Sequence, residues 1–416
     1  MTQEVARYTV GVDWGSASHQ VCVLDATGTV VHEEAVAHTG MALGAWVARL
    51  LQRVGDDASR LAVAIEVPRG PVVEVLLERG IPTFSVNPKQ LAAFRDRASV
   101  AGAKDDRRDA RLLARALQTD PQCFRALGTD DPIVIQLREW SRMDAELVAE
   151  IGRLTNRLRE QWQRYYVQLL ELSPAASDAW VWRLWERAPT PSLGARLRLD
   201  TISSIVHAYH LRRWTPEQVK AVLRTPALEV APGTVEAATA HARYLIERLW
   251  LIQQQRESCT KQLETLLAQL ENPSEPPAGS GPSDVTILRS MPGVGPVVAA
   301  RLLAEASHPV AARGLAMLRA WAGLAPVTRQ SGKTRLVVMR TACNRALRNA
   351  CYFWALASLK CDVSSRHYYR QLRARGHTHG RALRDVADRL LRILFAMLKT
   401  RTLYDAARLA PVPSMP

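Results

Sequence analysis

Residues 8–32, YTVGVDWGSASHQVCVLDATGTVVH, decide the fold. Residues 8–13 are apolar and β-rich, and residues 20–24 repeat that character. Asp25-Ala26-Thr27-Gly28 has turn composition and precedes a third short strand over 29–32. A strand meander opens the chain. Beyond it, residues 41–54 have helical periodicity, and 61–65 are a continuous apolar run of strand length that ends at Glu66 and Pro68. A helix over 72–78 stops at Gly80, a short strand covers 82–86, and another helix starts at Lys89. Strands alternating with helices predict an α/β domain over roughly the first 120 residues.

The chain has 416 residues, 47% hydrophobic and 23% charged, which excludes a disordered or collagen-like chain. Cys22, Cys123, Cys259, Cys343, Cys351 and Cys361 form no CxxC pair, so neither a zinc ribbon nor a disulfide framework is expected. No apolar run approaches the ~18 residues that span a membrane. MTQEVARYTV does not read as a signal peptide, so the default expectation is a soluble cytoplasmic protein. Lys and Arg exceed Asp and Glu by 15. Residues 281–416 hold 22 basic and 6 acidic side chains, a net +16, and residues 1–280 a net −1. A one-sided basic block of this kind is the footprint of a nucleic-acid surface.

From 133 to 171 apolar residues recur every three to four positions, and a second such run covers about 235–270. Together they predict an antiparallel helical pair or coiled-coil arm. Between them lie Trp180, Trp182, Trp185 and Trp214, for which packing is a better account than base stacking. Thr215-Pro216-Glu217-Gln218 reads as a helix start. The expected organisation is an α/β domain over 1–125, a helical arm over 130–271, a linker over 272–284, and a basic helical domain over 285–410.

Asp13 and Glu66 end strands, and Asp106 and Asp109 are three apart in KDDRRDARLLARAL, hence on one helix face. Strand-end carboxylates facing helix carboxylates make a hard-oxygen cage for Mg²⁺, and two such ions ~3.5–4 Å apart serve phosphodiester displacement. The element order matches an RNase H-like fold, in which the first and fourth strands are neighbours. Asp105 also neighbours Asp109 on the helix, so spacing leaves Asp105 and Asp106 as alternatives.

In the basic third, Met291-Pro-Gly-Val-Gly-Pro296 resembles a helix-hairpin-helix turn, where Gly293 and Gly295 would let backbone N–H groups approach a phosphate. Gln330-Ser331-Gly332-Lys333 has turn composition, with Ser331 among Arg329, Lys333 and Arg335. A serine in a basic loop is a possible phosphoryl acceptor, although from chemistry alone a plain turn serine is the simpler account. Arg340, Asn344, Arg345 and Arg348 continue a basic helix face suited to phosphates. Tyr368 and Tyr369 are rival nucleophiles for which core or stacking roles are simpler.

These motifs together resemble one family. GVDWGSASH, IEVPRG, VNPKQLAAFRDR and AKDDRRDARLLA look like the N-terminal DEDD domain of the "IS one-ten" insertion-sequence transposases, relatives of the Piv DNA invertases. MPGVGPVVAARLLAE, QSGKTR, CNRALRNA and YYRQLRARG look like their C-terminal transposase domain. The resemblance implies a RuvC-type, RNase H-like fold with Asp13, Glu66, Asp106 and Asp109 as the Mg²⁺-binding set. The family pattern Lys-Thr-Asp-x-x-Asp-Ala selects Asp106, with Asp105 standing where Thr or Ser is usual. It also implies that Ser331 is the nucleophile, attacking DNA to give a covalent phosphoserine. Because serine and acids lie in different domains, the resemblance further implies a composite site in a dimer or tetramer. It implies guidance by a structured RNA encoded by the element, with base pairing choosing the DNA while the protein holds backbones. Arg329, Lys333, Arg335, Arg340, Arg345 and Arg348, with Gly293 and Gly295, are the expected nucleic-acid contacts. Two other readings remain open from the residues: a Mg²⁺-dependent RuvC-like junction nuclease without a covalent intermediate, and a non-catalytic nucleic-acid-binding protein.

Overall fold

The computed structural model describes residues 8–98, 105–128, 131–231, 233–271, 281–332 and 334–409. They belong to two compact units, 1–130 and 131–416. Lys104 and Lys333, and most of the expected linker, lie outside the described residues.

The first unit runs β1 (Tyr8–Asp13), β2 (Ser18–Asp25), β3 (Val30–Ala37), α1 (Gly40–Arg53), β4 (Leu61–Ile65), α2 (Pro71–Glu78), β5 (Thr83–Val86), α3 (Pro88–Ala98), α4 (Asp106–Thr119) and β6 (Phe124–Ala126). The sheet order is β3-β2-β1-β4-β5-β6. The first three strands form an antiparallel meander, β4 and β5 continue it in parallel from β1, and β6 closes the edge antiparallel. The expected neighbourhood of first and fourth strands is present, and the arrangement is RNase H-like. β6 is an addition to the expected strands.

Strand alternation sorts the two faces of this sheet. Val10, Val12, Val63 and Ile65 pack on one side with Leu43, Trp46 and Leu50 of α1 and Val72, Val73 and Leu76 of α2. Ala64 packs on the other side with Leu113 and Leu117 of α4, and Cys22 and Leu24 meet Ala110 and Ala114. Helices on both faces explain why the central strands read as unbroken apolar runs. Gly11 is where α4 crosses β1. A Cβ there would stand 1.9 Å from the carbonyl oxygen of Ala110 and 2.6 Å from the amide of Ala114.

The second unit is built on two long helices, α5 (Pro132–Tyr165) and α11 (Thr234–Glu271). Contacts of Arg157 with His241, Arg248 with Glu150 and Arg256 with Asp144 show that they run antiparallel. The first expected helix was longer, to 171. It stops where Tyr165 and Tyr166 both turn into the core, and α6 (Gln168–Leu172) follows as a separate turn. The short helices α7 (Ala179–Arg187), α8 (Pro191–Arg196), α9 (Leu199–Ala208) and α10 (Pro216–Leu223) fill the interval. Trp180, Trp182 and Trp185 are buried there beside Trp162, and Trp214 packs partly buried against the same core, so these tryptophans pack. Thr215 caps α10 with the expected reciprocal bonds to Gln218.

At the other end of the pair, Leu137, Leu263 and Leu267 enter a separate core. It is formed by α12 (Asp284–Ser290), α13 (Pro296–Glu305), α14 (Ser307–Ala311), α15 (Leu315–Trp321), α16 (Arg345–Cys361), α17 (Val363–Ala374) and α18 (His379–Thr400). Asp144, 2% exposed, is bonded by Arg256 of α11 and Arg301 of α13, tying three helices at one point. The expectation of a wholly helical 285–410 needs one correction. A β-hairpin, β7 (Val327–Ser331) and β8 (Thr334–Val338), stands between α15 and α16. Its β-branched residues flank a Gly332 turn with φ of +54°, which is hairpin chemistry. No helix among the described residues is long and apolar enough to cross a membrane.

Gly11→Ala will push α4 off β1 and cost about 3 kcal/mol or more, because the clash is with backbone. Gly44→Ala, on α1 with nothing within 4 Å of its Cβ position, will stabilise by about 0.5–1 kcal/mol. Denaturant unfolding of the two variants against the parent chain checks the opposite signs.

Candidate active site

β1 and β4 are parallel and in register, with Gly11 opposite Ala64 and Val12 opposite Ile65. The next positions on the α4 side of the sheet are therefore Asp13 and Glu66. The first turn of α4 supplies Asp106 and Asp109. The four expected acids are thereby brought to one end of the sheet, where Asp106, Asp109 and Glu66 all act on the charge of Asp13. Asp105 has a different job: its side chain accepts the amide of Arg107 and caps α4. Thr, Ser and Asp are all good N-caps, so the residue standing where Thr or Ser is usual preserves the cap. The two helix acids are also less costly than spacing alone implies, since a helix N-terminus favours negative charge.

Asp109 is buried, 4% exposed, and its two oxygens take both hydrogen bonds of the Arg95 guanidinium, each 2.8 Å. The same Nη2 of Arg95 lies 3.9 Å from Glu66. Burial pushes the Asp13 carboxyl up to about 6, helped by the charges of Asp109, Asp106 and Glu66 and opposed by Arg95. The donor set is all carboxylate oxygen, the chemistry that suits Mg²⁺. As placed, no three His, Cys, Asp or Glu side chains among the described residues are grouped to hold a metal ion.

Two residues acquire roles here that the sequence did not give them. Arg95 is one. The other is His19, 1% exposed: its Nδ1 accepts the amide of Gly15 and its Nε2 bonds Nδ1 of His38 at 2.9 Å. It thus fixes the chain just after Asp13. The motif GVDWGSASH contains the signal for His19, since a buried histidine two residues past a Gly-Ser-Ala turn has to bond something.

The expected nucleic-acid contacts divide into exposed and committed side chains. Ser331 is the last residue of β7 and is exposed at the hairpin tip. Among the described residues nothing hydrogen-bonds its hydroxyl. Cross-strand register puts Ser331, Arg329 and Leu336 on one face of the hairpin and Arg335 on the other. Arg329, Arg335 and Arg345 are exposed. Arg348 instead donates to the carbonyls of Arg340 and Thr341 and contacts Cys343, and Arg340 donates to Ala325. These two brace the base of the hairpin. Gly293, with φ of +80°, lies against α16, where a Cβ would meet the Ser358 amide at 2.6 Å. Gly295, at the N-cap of α13, faces open space. Tyr369 donates to or accepts from Nδ1 of His379, and Arg389 lies over the ring of Tyr368.

Comparison with known proteins agrees with this geometry. Residues 10–167 match the DEDD-type IS110 family profile described as Transposase. Residues 285–370 match the profile described as Transposase IS116/IS110/IS902 family. A Sinorhizobium fredii protein bearing the name transposase y4uE is 48% identical over 49% of this chain. The aligned stretch spans only 57% of that protein's length. A Streptomyces coelicolor protein named as a mini-circle transposase for IS117 is 29% identical over 96% of this chain and 95% of its own. A 43.6 kDa protein of insertion element IS110 from the same organism is 30% identical over 73% of each chain.

The raised Asp13 carboxyl has a consequence for stability. Its ordinary value is 3.8 and its folded value about 6. The native state therefore keeps this proton where the unfolded state gives it up. Stability that Asp13 contributes below about pH 4 is lost as pH rises through 6. Without metal, Asp13→Asn will raise the melting temperature at pH 7.5, by a stabilisation on the order of 1–3 kcal/mol. That advantage will shrink toward zero near pH 4. Thermal melts in chelator across this range read the effect.

Proposed function

Because the chain belongs to the IS110 family of transposases, we propose that it is the recombinase of a bacterial insertion sequence. On this reading it cuts and rejoins DNA through a covalent phosphoserine at Ser331. The observation that carries the proposal is that Asp13, Glu66, Asp106 and Asp109 lie at one end of the sheet, near enough for the other three to act on the charge of Asp13. These carboxylates are what the chain offers to a divalent metal, Mg²⁺, which when bound supplies Lewis-acid stabilisation of charge on a phosphate. The Ser331 hydroxyl loses its proton as Oγ bonds to phosphorus, and one bridging P–O bond breaks. The freed strand leaves as an alcohol that carries a proton away. Attack on the phosphoserine by another strand's hydroxyl reverses the step and joins the new ends, so no external energy source is required.

Exposure at a hairpin tip supports the serine as attacker, because a phosphodiester in a duplex can reach it. With no base bonded to Oγ among the described residues, its activation comes from groups brought to the hairpin. Arg329, on the same face, is the first side chain assigned to the attacked phosphate, followed by Arg335 and Arg345, with Lys333 assigned from the sequence alone. The net +16 of residues 281–416 supports a partner that is polyanionic, namely element ends and target DNA. A structured guide RNA and assembly as a dimer or tetramer through the α5–α11 pair complete the proposal.

The test is to express the gene with its native flanking DNA in a heterologous bacterium and amplify across excised-circle junctions. Wild type will give junctions, and Ser331→Ala and Asp13→Asn will give none. Purified wild type will also form a denaturant-resistant adduct with element-end DNA, and Ser331→Ala will bind that DNA without the adduct. Junctions surviving Ser331→Ala would move the assignment to a RuvC-like nuclease that uses the acids alone.

A further inference from the structure

The contact that the proposed chemistry leaves unexplained is the one that fills the acidic set. Asp109 has two oxygens, and Arg95 takes both. The guanidinium lies between Asp109 and Glu66, the carboxylates of α4 and of the end of β4. No three carboxylates among the described residues converge on one point while it is there. A guanidinium and a divalent cation want the same oxygens and repel each other, so both cannot hold Asp109 in this way.

We propose that Arg95 is a resident counter-ion latch on the acidic set, and that a divalent cation loads by displacing its guanidinium from Asp109. The inference rests on the metal reading of the four acids and adds to it how the site is kept closed. It gives a carboxylate that is 4% exposed a two-pronged partner. The latch is built to move. Its side chain is 35% exposed, on α3, and reaches Asp109 across to α4 rather than along its own helix. The released guanidinium stays at the rim of the site as a cation available to a phosphate oxygen. Metal and DNA backbone thus replace, between them, the two ion pairs that the closed state gives up.

Linkage sets the size of the effect. A closed fraction of nine-tenths weakens apparent metal affinity tenfold, and removing the latch restores it. The experiment uses the full chain and Mn²⁺ as probe, with free Mn²⁺ followed by electron paramagnetic resonance and melting temperature recorded with and without metal. Arg95→Gln is expected to bind Mn²⁺ about tenfold more tightly than wild type. It is expected to melt lower than wild type in chelator and to gain more from Mn²⁺, because Asp109 has then lost its partner. Arg95→Lys keeps the charge but not the two-pronged geometry and is expected to fall between them. It also supplies the answer should Arg95→Gln fail to fold without metal. Asp109→Asn is expected to bind least.

Equal or weaker Mn²⁺ binding by both Arg95 variants, with wild type binding and Asp109→Asn not, overturns the latch and leaves the metal reading standing. Absence of binding by wild type and both Arg95 variants at millimolar Mn²⁺ overturns the metal reading itself, and the latch with it.

Discussion

The approach of α4 to β1 at Gly11 is the constraint on which the first unit depends. The helix backbone comes so close that no side chain fits, and Ala110 and Ala114 are the small residues that permit it. The residue just before this contact on the helix is Asp109, Asp106 lies one turn further toward the helix N-terminus, and two residues along the strand is Asp13. Parallel pairing of β1 with β4 brings Glu66 level with Asp13. A single backbone contact and one strand register therefore fix a site drawn from three separate elements. Rigid packing of this kind is what allows carboxylates to be held together, and the Asp13 carboxyl is pushed up to about 6 by burial first and by the charges of Asp109, Asp106 and Glu66 second.

Charge in the second unit is less free than its count. Of its arginines, Arg301 pairs with Asp144, Arg313 with Asp284, Arg319 with Asp388, and Arg289 with Glu264 and Glu271. Arg348 and Arg340 serve backbone carbonyls. These hold helices and the hairpin base in place and are poor candidates for phosphate contacts. The exposed arginines of the hairpin and of the first turn of α16, together with Arg370, Arg375 and Arg381, remain for a polyanion. The net basic excess survives this sorting, because six acids cannot neutralise 22 basic side chains over residues 281–416. Its long-range attraction is intact even where individual guanidinium groups are spoken for.

What was legible in the sequence follows from local physics. Apolar, β-rich runs bounded by turn residues marked the first strands of the sheet, and strand ends plus an i, i+3 pair marked the acids. A β-strand of three residues, Phe124–Ala126, carries too little pattern to read, and it forms because β5 offers an open edge. The hairpin Val327–Val338 was masked by its arginines, which hide the β-branched residues that flank the Gly332 turn. Asp105 against Asp106 was undecidable from spacing; the family pattern selects Asp106, and the cap bond gives Asp105 a separate structural job. Arg95 was out of reach for a different reason. Its importance lies in a partner 14 residues away on another helix, and no periodicity encodes such a pair.

An exposed serine hydroxyl has an ordinary alcohol's reluctance to ionise, and Ser331 has no base among the described residues to change that. The acidic set has the converse deficiency: four carboxylates and a guanidinium, but no nucleophile. Under the proposed reading each half is inert alone, and for the acids the inertness is doubled by Arg95, which holds the oxygens a cation needs. On that reading cutting requires metal and a bound phosphate together, because the acids need a cation to act on a phosphate and the serine needs a phosphate to attack. For a transposase whose basic residues are proposed to hold nucleic-acid backbones, coupling reactivity to that coincidence separates binding from cleavage. Affinity can stay unspecific while chemistry waits for the correctly assembled DNA.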